Sequence, residues 1–454
     1  MARDAGTGLG TEAGETLVAR PDPAEARKYR REFYIMSIAL GLNHATVTTP
    51  ILYGPSVLTS EIGNASNAVL YGATLICSLF FSNLTYAKVG AKKGLALSMF
   101  LYTVYVGLFA LSSSQCAARD AQEKCVRAES MQLPLVSLGA LVGGMGAGLL
   151  WTCQGAFYAM VCENLAIAEG TAKEAVTAKL AGTFGVIFLG FECAIRAVTT
   201  LLAGAQYAHL SYMSTFLIWT LLAFASAVSF ALLANDLQPS KQAIAGSVCD
   251  KLLTAVRLWQ DPKLWLLQST NITFGFGAAW LAGVVGPTIL SVALTSSFIG
   301  FSGALLSGLA AVLSKLLAPI AARIGKGPVL ALGSLSFLAL GILSKWVGKP
   351  AEWGYGTVVF YVFMGVGRAV YESTNKAIIA DFFPGASSAG AFANVFVFGT
   401  ASSCAAFVLG AAGTTAPELY LLLIFAVLTL PSFVLASLLK AHELRGDAAA
   451  QGGC

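Results

Sequence analysis

Twelve apolar segments follow one another along this chain, each near the roughly 20 residues that a helix needs to cross a bilayer core. They run at about 33–58, 67–87, 94–114, 133–160, 180–203, 211–234, 264–292, 297–320, 328–346, 356–380, 389–411 and 418–439. Lipid offers no water to satisfy backbone groups, so such segments are forced into helices that bond internally. Composition agrees. Hydrophobic residues make up 56% and charged residues 11%, where a soluble domain carries about a quarter charged, and the mean hydropathy is +0.73. The 47 glycines against 14 prolines fit close helix packing in lipid. The prediction is an all-α integral membrane protein with twelve transmembrane helices, whose first partner is the lipid bilayer.

The net charge of +5 does not indicate nucleic acid, because it reflects topology. With the N-terminus inside, nineteen of the 28 Lys and Arg fall in inner segments and five in outer loops, which predicts both termini cytosolic by the positive-inside rule. The domains expected are a disordered cytosolic tail over 1–32, a six-helix bundle over 33–234, a linker over 235–263, a second bundle over 264–439 and a C-terminal tail over 440–454. Within the linker, residues 248–259 read as an amphipathic helix on the membrane surface or as a solvated connector.

Of the nine cysteines, Cys116 and Cys125 share a polar outer loop and are the only pair expected to form a disulfide. The sequon Asn64-Ala65-Ser66 falls in the first outer loop, which predicts glycosylation at Asn64.

The two halves resemble each other. Gly54-Pro55 near the end of the first span matches Gly286-Pro287 of the seventh, and Ala87-Lys88-Val89-Gly90 after the second matches Ala322-Arg323-Ile324-Gly325 after the eighth. Two parallel six-helix repeats joined by a longer cytosolic loop resemble the major facilitator superfamily, which implies two pseudo-symmetric bundles rocking about a midplane site. The basic loops 87–94 and 322–328 resemble that superfamily's loop motif, but both lack its Asp. In the fourth span, Gly146-Ala147-Gly148-Leu149-Leu150-Trp151-Thr152-Cys153-Gln154-Gly155 resembles the "uncoordinated ninety-three" family, as do Val69-Leu70-Tyr71-Gly72 and Lys88-Val89-Gly90-Ala91-Lys92-Lys93. That family includes regulators of potassium channels and trafficking partners of receptors. The resemblance therefore implies either a carrier of an unknown small solute or a non-transporting membrane-protein partner.

Charges inside a span are costly and normally face a bundle interior or a water-filled cavity. The tenth span carries Arg368, Glu372 and Lys376 at four-residue spacing, which stacks them on one helical face. Arg368 lies roughly 18 Å into the span at 1.5 Å per residue. Arg368 and Glu372 are read as a cavity-facing pair for binding or gating, against a structural pair that neutralises itself, and Lys376 as an anchor at the cytosolic edge. Glu192 and Arg196 on the fifth span make a similar pair, within reach of Lys315 on the eighth, and are read as an interhelical lock. Asn43, His44, Trp151 and Gln154 are further cavity candidates, although a lone membrane histidine is more often a packing residue. The imidazole of His44, with an ordinary pKa near 6.5, would suit proton coupling. No zinc spacing, phosphate loop or nucleophile elbow occurs. No cofactor, metal or enzymatic activity is expected.

Overall fold

The computed structural model describes residues 21–204, 207–237, 255–384 and 387–452. The first half comprises α1 (Pro23–Val57), α2 (Ser60–Phe81), α3 (Ser82–Ser113), a hairpin of β1 (Cys116–Arg119) and β2 (Cys125–Ala128), α4 (Gln132–Glu169), α5 (Lys173–Ala203) and α6 (Tyr212–Leu233). The second comprises α7 (Pro262–Ala293), α8 (Ile299–Ile324), α9 (Lys326–Trp346), α10 (359–382), α11 (Ser388–Ala411) and α12 (Thr415–Gly452). Among the described residues eleven helices are long and apolar enough to cross a membrane. The twelfth, α10, is built in three parts: Val359–Val370, a π-helical stretch Tyr371–Asn375, and Lys376–Phe382. Among the described residues the architecture is a bundle of twelve long helices in two halves of six, with one short β-hairpin.

Each half opens on the same local device. Asp22 caps α1, its carboxylate accepting from the Ala24 and Glu25 amides, with Pro23 at the first helical position. Asp261 caps α7 in the same way, accepting from the Lys263 amide at 2.9 Å, with Pro262 first. Proline is suited to that position because its missing N–H would be unsatisfied there anyway. The basic loops also repeat in backbone shape: Gly90 has φ 79° and ψ 173°, and Gly325 has φ 89° and ψ 161°. Side chains rarely tolerate that positive φ, which explains a glycine at both places.

Connections alternate between two faces. One bears the described chain ends, where Asn235 donates to Glu32 and Lys263 pairs with Glu443. The other bears the β-hairpin, where the Ser296 amide donates to the Gln122 carbonyl. These are the terminal face and the hairpin face below.

Glycines on α4 let it lie between two neighbours. A Cβ at Gly143 would fall 2.7 Å from Tyr105 of α3, and one at Gly144 would fall 2.4 Å from the Leu70 carbonyl of α2. The Gly-x-x-x-Gly spacing is therefore consumed by packing. Pro287 lies inside the π-helical stretch Leu281–Leu290 of α7, and Pro55 lies inside the last turn of α1 without one.

Two expectations change here, and a third extends beyond the described residues. Residues 1–20 of the tail lie outside the described residues, but 23–32 are helical, because the Asp22 cap starts α1 some ten residues before the apolar span. Of the surface helix expected at 248–259, residues 248–254 lie outside the described residues. Residues 255–257 are helical and run into a 3-10 turn over Leu258–Gln260, whose Trp259 indole donates to Asn394 Oδ1 of α11 at 2.7 Å. Asn64 is only 2% exposed, with its amide donating to the Gly283 carbonyl of α7. The glycosylation expectation fails in this conformation, because the sequon sits on α2 facing the second half rather than in a loop.

Cys116 and Cys125 are disulfide-bonded with a sequence separation of 9, and the hairpin they close presents Arg119 to the Val57 and Ser113 carbonyls and the Tyr212 ring. By the chain-entropy relation a loop of that size contributes about 2–3 kcal/mol. Replacing both cysteines by serine is expected to lower unfolding stability by that amount, read as a drop in Tm that reducing agent reproduces in the parent protein. A drop absent from both would contradict it.

Candidate functional site

The charges of the spans meet in one cluster between the halves. Glu192 of α5 receives Arg368 of α10 as a two-pronged pair, Nη1 to Oε1 at 2.7 Å and Nη2 to Oε2 at 2.8 Å. Arg196, one turn along α5, reaches Oε1 of the same carboxylate at 2.6 Å. Ser307 of α8 completes the set: its hydroxyl lies 3.1 Å from Glu192 Oε1 and accepts from Arg196 Nη1 at 2.7 Å. The Glu192 side chain is 1% exposed, Arg196 7% and Arg368 13%.

Depth follows from helix rise. Arg368 lies about 14 Å from the hairpin-face end of α10 and Glu192 about 17 Å from that end of α5, at 1.5 Å per residue. Both are near the middle of a hydrocarbon core of about 30 Å. Two guanidinium groups against one carboxylate leave a net charge of +1 at that level. Nε of Arg196 and Nε of Arg368 have no hydrogen-bond partner among the described residues.

The arrangement corrects the on-helix pairing read from the sequence. Glu372 pairs with Lys376 at 2.5 Å instead of Arg368. Lys376 takes Glu372, while the two-pronged pair with Glu192 takes Arg368. Lys315 is exposed and makes no ion pair among the described residues. Two guanidinium groups already occupy the Glu192 carboxylate, and the planar Arg368 fork suits it better than an ammonium.

The remaining candidates separate. Asn43 is fully buried inside the first half, donating to the Ala223 carbonyl at 3.0 Å and to Ser226 Oγ at 3.2 Å, so it ties α1 to α6 rather than lining a cavity. His44 stacks on Phe188 at 4.7 Å and meets Trp151 edge-on at 5.3 Å. Phe188 is one turn before Glu192 on α5, so this aromatic group adjoins the charge cluster toward the terminal face. Gln154 is half-buried on α4.

Every hydrogen bond and ion pair between the described residues of the two halves lies at this level or nearer the hairpin face. Tyr53 and Thr200 both donate to the Ser297 carbonyl, at 2.8 and 2.7 Å. Ser291 donates to Ser56, Cys404 to the Ala68 carbonyl, and Tyr71 stacks on Phe407 at 5.6 Å. Nearer the terminal face, a Cβ at Gly182, Gly185 or Gly190 of α5 would meet nothing within 4 Å. The halves are closed at the hairpin face and part toward the other.

These closing residues carry a sequence signal that is easy to overlook. Gly300, Gly303 and Ser307 form a small-residue stripe on α8 at three- and four-residue spacing. A Cβ at Gly300 would fall 2.3 Å from the Arg196 carbonyl and 2.5 Å from the Tyr53 hydroxyl. Gly300→Ala is expected to destabilise the closed arrangement by about 1–3 kcal/mol, as overpacking does. Faster alkylation of Cys193, which lies against Gly308, would report it, and an unchanged rate would contradict it.

Over 382 residues the chain is 27% identical to protein unc-93 homolog A of Bos taurus, an alignment covering 75% of this chain and 78% of that protein. The mouse protein of the same name is 22% identical over 372 residues, 72% and 76% of the two chains. No family model matches. Among solved structures, the inward-open xylose transporter XylE from E. coli superposes with TM-score 0.58 at 12% identity, covering 89% of this chain and 94% of that one. The nucleoside transporter NupG superposes with TM-score 0.60 at 15% identity, covering 91% and 99%. The chain has the major facilitator fold and is similar in sequence to the unc-93 homologs. In this unc-93-like chain the two facilitator halves meet at Glu192, Arg196 and Arg368, and the aromatic group of His44, Trp151 and Phe188 borders that junction.

Proposed function

We propose that this unc-93-like chain is an alternating-access transporter of a small solute, with its binding level at Arg368, Glu192 and the His44–Trp151–Phe188 group. One observation carries the reading: a single ion pair joins the described residues of the two halves, at mid-depth, and all other bonds between them lie at its level or on its hairpin side. A protein held together for good has no reason to confine its inter-half bonds to one side of a buried charge. The Lys and Arg distribution supports a cytosolic terminal face, which makes this conformation inward-open.

The alternative, a non-transporting partner of a channel or receptor, is favoured by the missing Asp in both basic loops. Purified protein in proteoliposomes separates the two. Saturable uptake of some solute from a broad panel, lost in Arg368→Gln, is expected of the transporter. No uptake of any solute, with stable co-purification of a channel or receptor, would establish the alternative.

A further inference from the structure

Resting on the transporter reading, we propose that the site takes a small carboxylate anion, which binds by exchanging with Glu192 for Arg368. Charge points to an anion. The buried cluster carries two guanidinium groups and one carboxylate, and one further negative charge makes it neutral in a setting where net charge is costly. Two guanidinium Nε–H groups also lack acceptors, and Arg196 is itself nine-tenths buried.

Access points to Arg368. It is the most exposed member at 13%, while Glu192 is sealed at 1%. The two-pronged geometry now given to Glu192 is the geometry a planar carboxylate ligand takes on an arginine fork. Glu192 itself can let go without being stranded, because Arg196 at 2.6 Å and Ser307 at 3.1 Å remain on it. Arg368 has no such reserve, since Glu372 is held by Lys376. An anion is the partner that Arg368 needs once Glu192 has gone. Beside it, Phe188, His44 and Trp151 offer an apolar surface for the body of the solute.

The exchange also supplies coupling. A ligand shifts a conformational balance only by its different affinity for the two states. A carboxylate that replaces Glu192 on Arg368 breaks the ion pair between the halves and so favours opening of the hairpin face. A neutral solute leaves the pair intact.

Thermal unfolding of the purified full chain tests the exchange, with benzoate as probe, benzamide as its neutral counterpart and sodium chloride at equal ionic strength. Benzoate is expected to raise Tm while benzamide and chloride do not. Glu192→Gln, which removes the competitor, is expected to lower Tm without ligand and to gain about tenfold or more in apparent benzoate affinity. Arg368→Gln keeps the Glu192–Arg196 pair and is expected to fold but lose the benzoate effect. If benzoate acts no differently from benzamide or chloride on both the parent and Glu192→Gln, the anion inference is overturned. Uptake of an uncharged solute alongside that result would leave the transporter reading standing. Benzoate binding lost in Arg368→Gln without uptake of any carboxylate would support the anion site while removing the transporter reading.

Discussion

Glu192→Ala is expected to cost about 3–5 kcal/mol of unfolding stability, among the largest losses available to one substitution in this protein. The reason is asymmetric. Removing the shared carboxylate strands Arg196 and Arg368 together in a buried setting, and a buried charge without its partner carries a penalty of that size. Arg368→Ala leaves Glu192 with Arg196 and Ser307, so its cost is expected to be smaller, about 1–3 kcal/mol, the range for losing one charged hydrogen-bond partner. Thermal unfolding in detergent or nanodiscs measures both. Equal losses, or a Glu192→Ala loss under about 1 kcal/mol, would mean that water reaches the cluster and that it is not the buried junction described.

A covalent staple across the hairpin side is expected to abolish transport. A Cβ placed at Gly72 of α2 would lie 3.5 Å from the Cys404 sulfur of α11, in ordinary contact and within easy reach of a disulfide. Gly72→Cys should therefore oxidise onto Cys404 with no other substitution. The bond holds α2 to α11 where Tyr71 already stacks on Phe407, so the hairpin face cannot open. Uptake in proteoliposomes should fall to background after oxidation and return on reduction. Undiminished uptake with the crosslink complete, seen as a mass shift of the intact chain, would show that these helices do not separate during the cycle.

The elements of the fold were legible because lipid permits so few solutions. Segment length and apolarity are enough to place most of the spans, and the paired Gly-Pro and basic-loop glycines expose the two halves. Gly90 and Gly325 then prove to share an unusual backbone shape. Asp22-Pro23 and Asp261-Pro262, the matching caps of α1 and α7, were equally visible in the sequence as a repeat. They lie outside the apolar spans, where length and apolarity carry no signal.

The site was legible in its parts but not in its pairing. Arg368, Glu192 and Arg196 stand out as charges in apolar segments. Spacing along one helix, however, supplies only partners four residues away, and the partner of Arg368 is on another helix 176 residues earlier. Asn64 misled for a related reason. A sequon just past a span boundary looks like loop, whereas α2 begins at Ser60 and turns that residue toward Gly283 and Gly410.

The most direct measurement is the distance between spin labels at Met131 and Glu352, exposed positions on the hairpin face of the two halves, with the protein in nanodiscs. Two separations are expected, a short one matching the closed face described and a longer one, with Glu192→Gln moving population to the longer. One short separation, unchanged by Glu192→Gln and by every solute added, would contradict a Glu192–Arg368 pair that holds a moving gate.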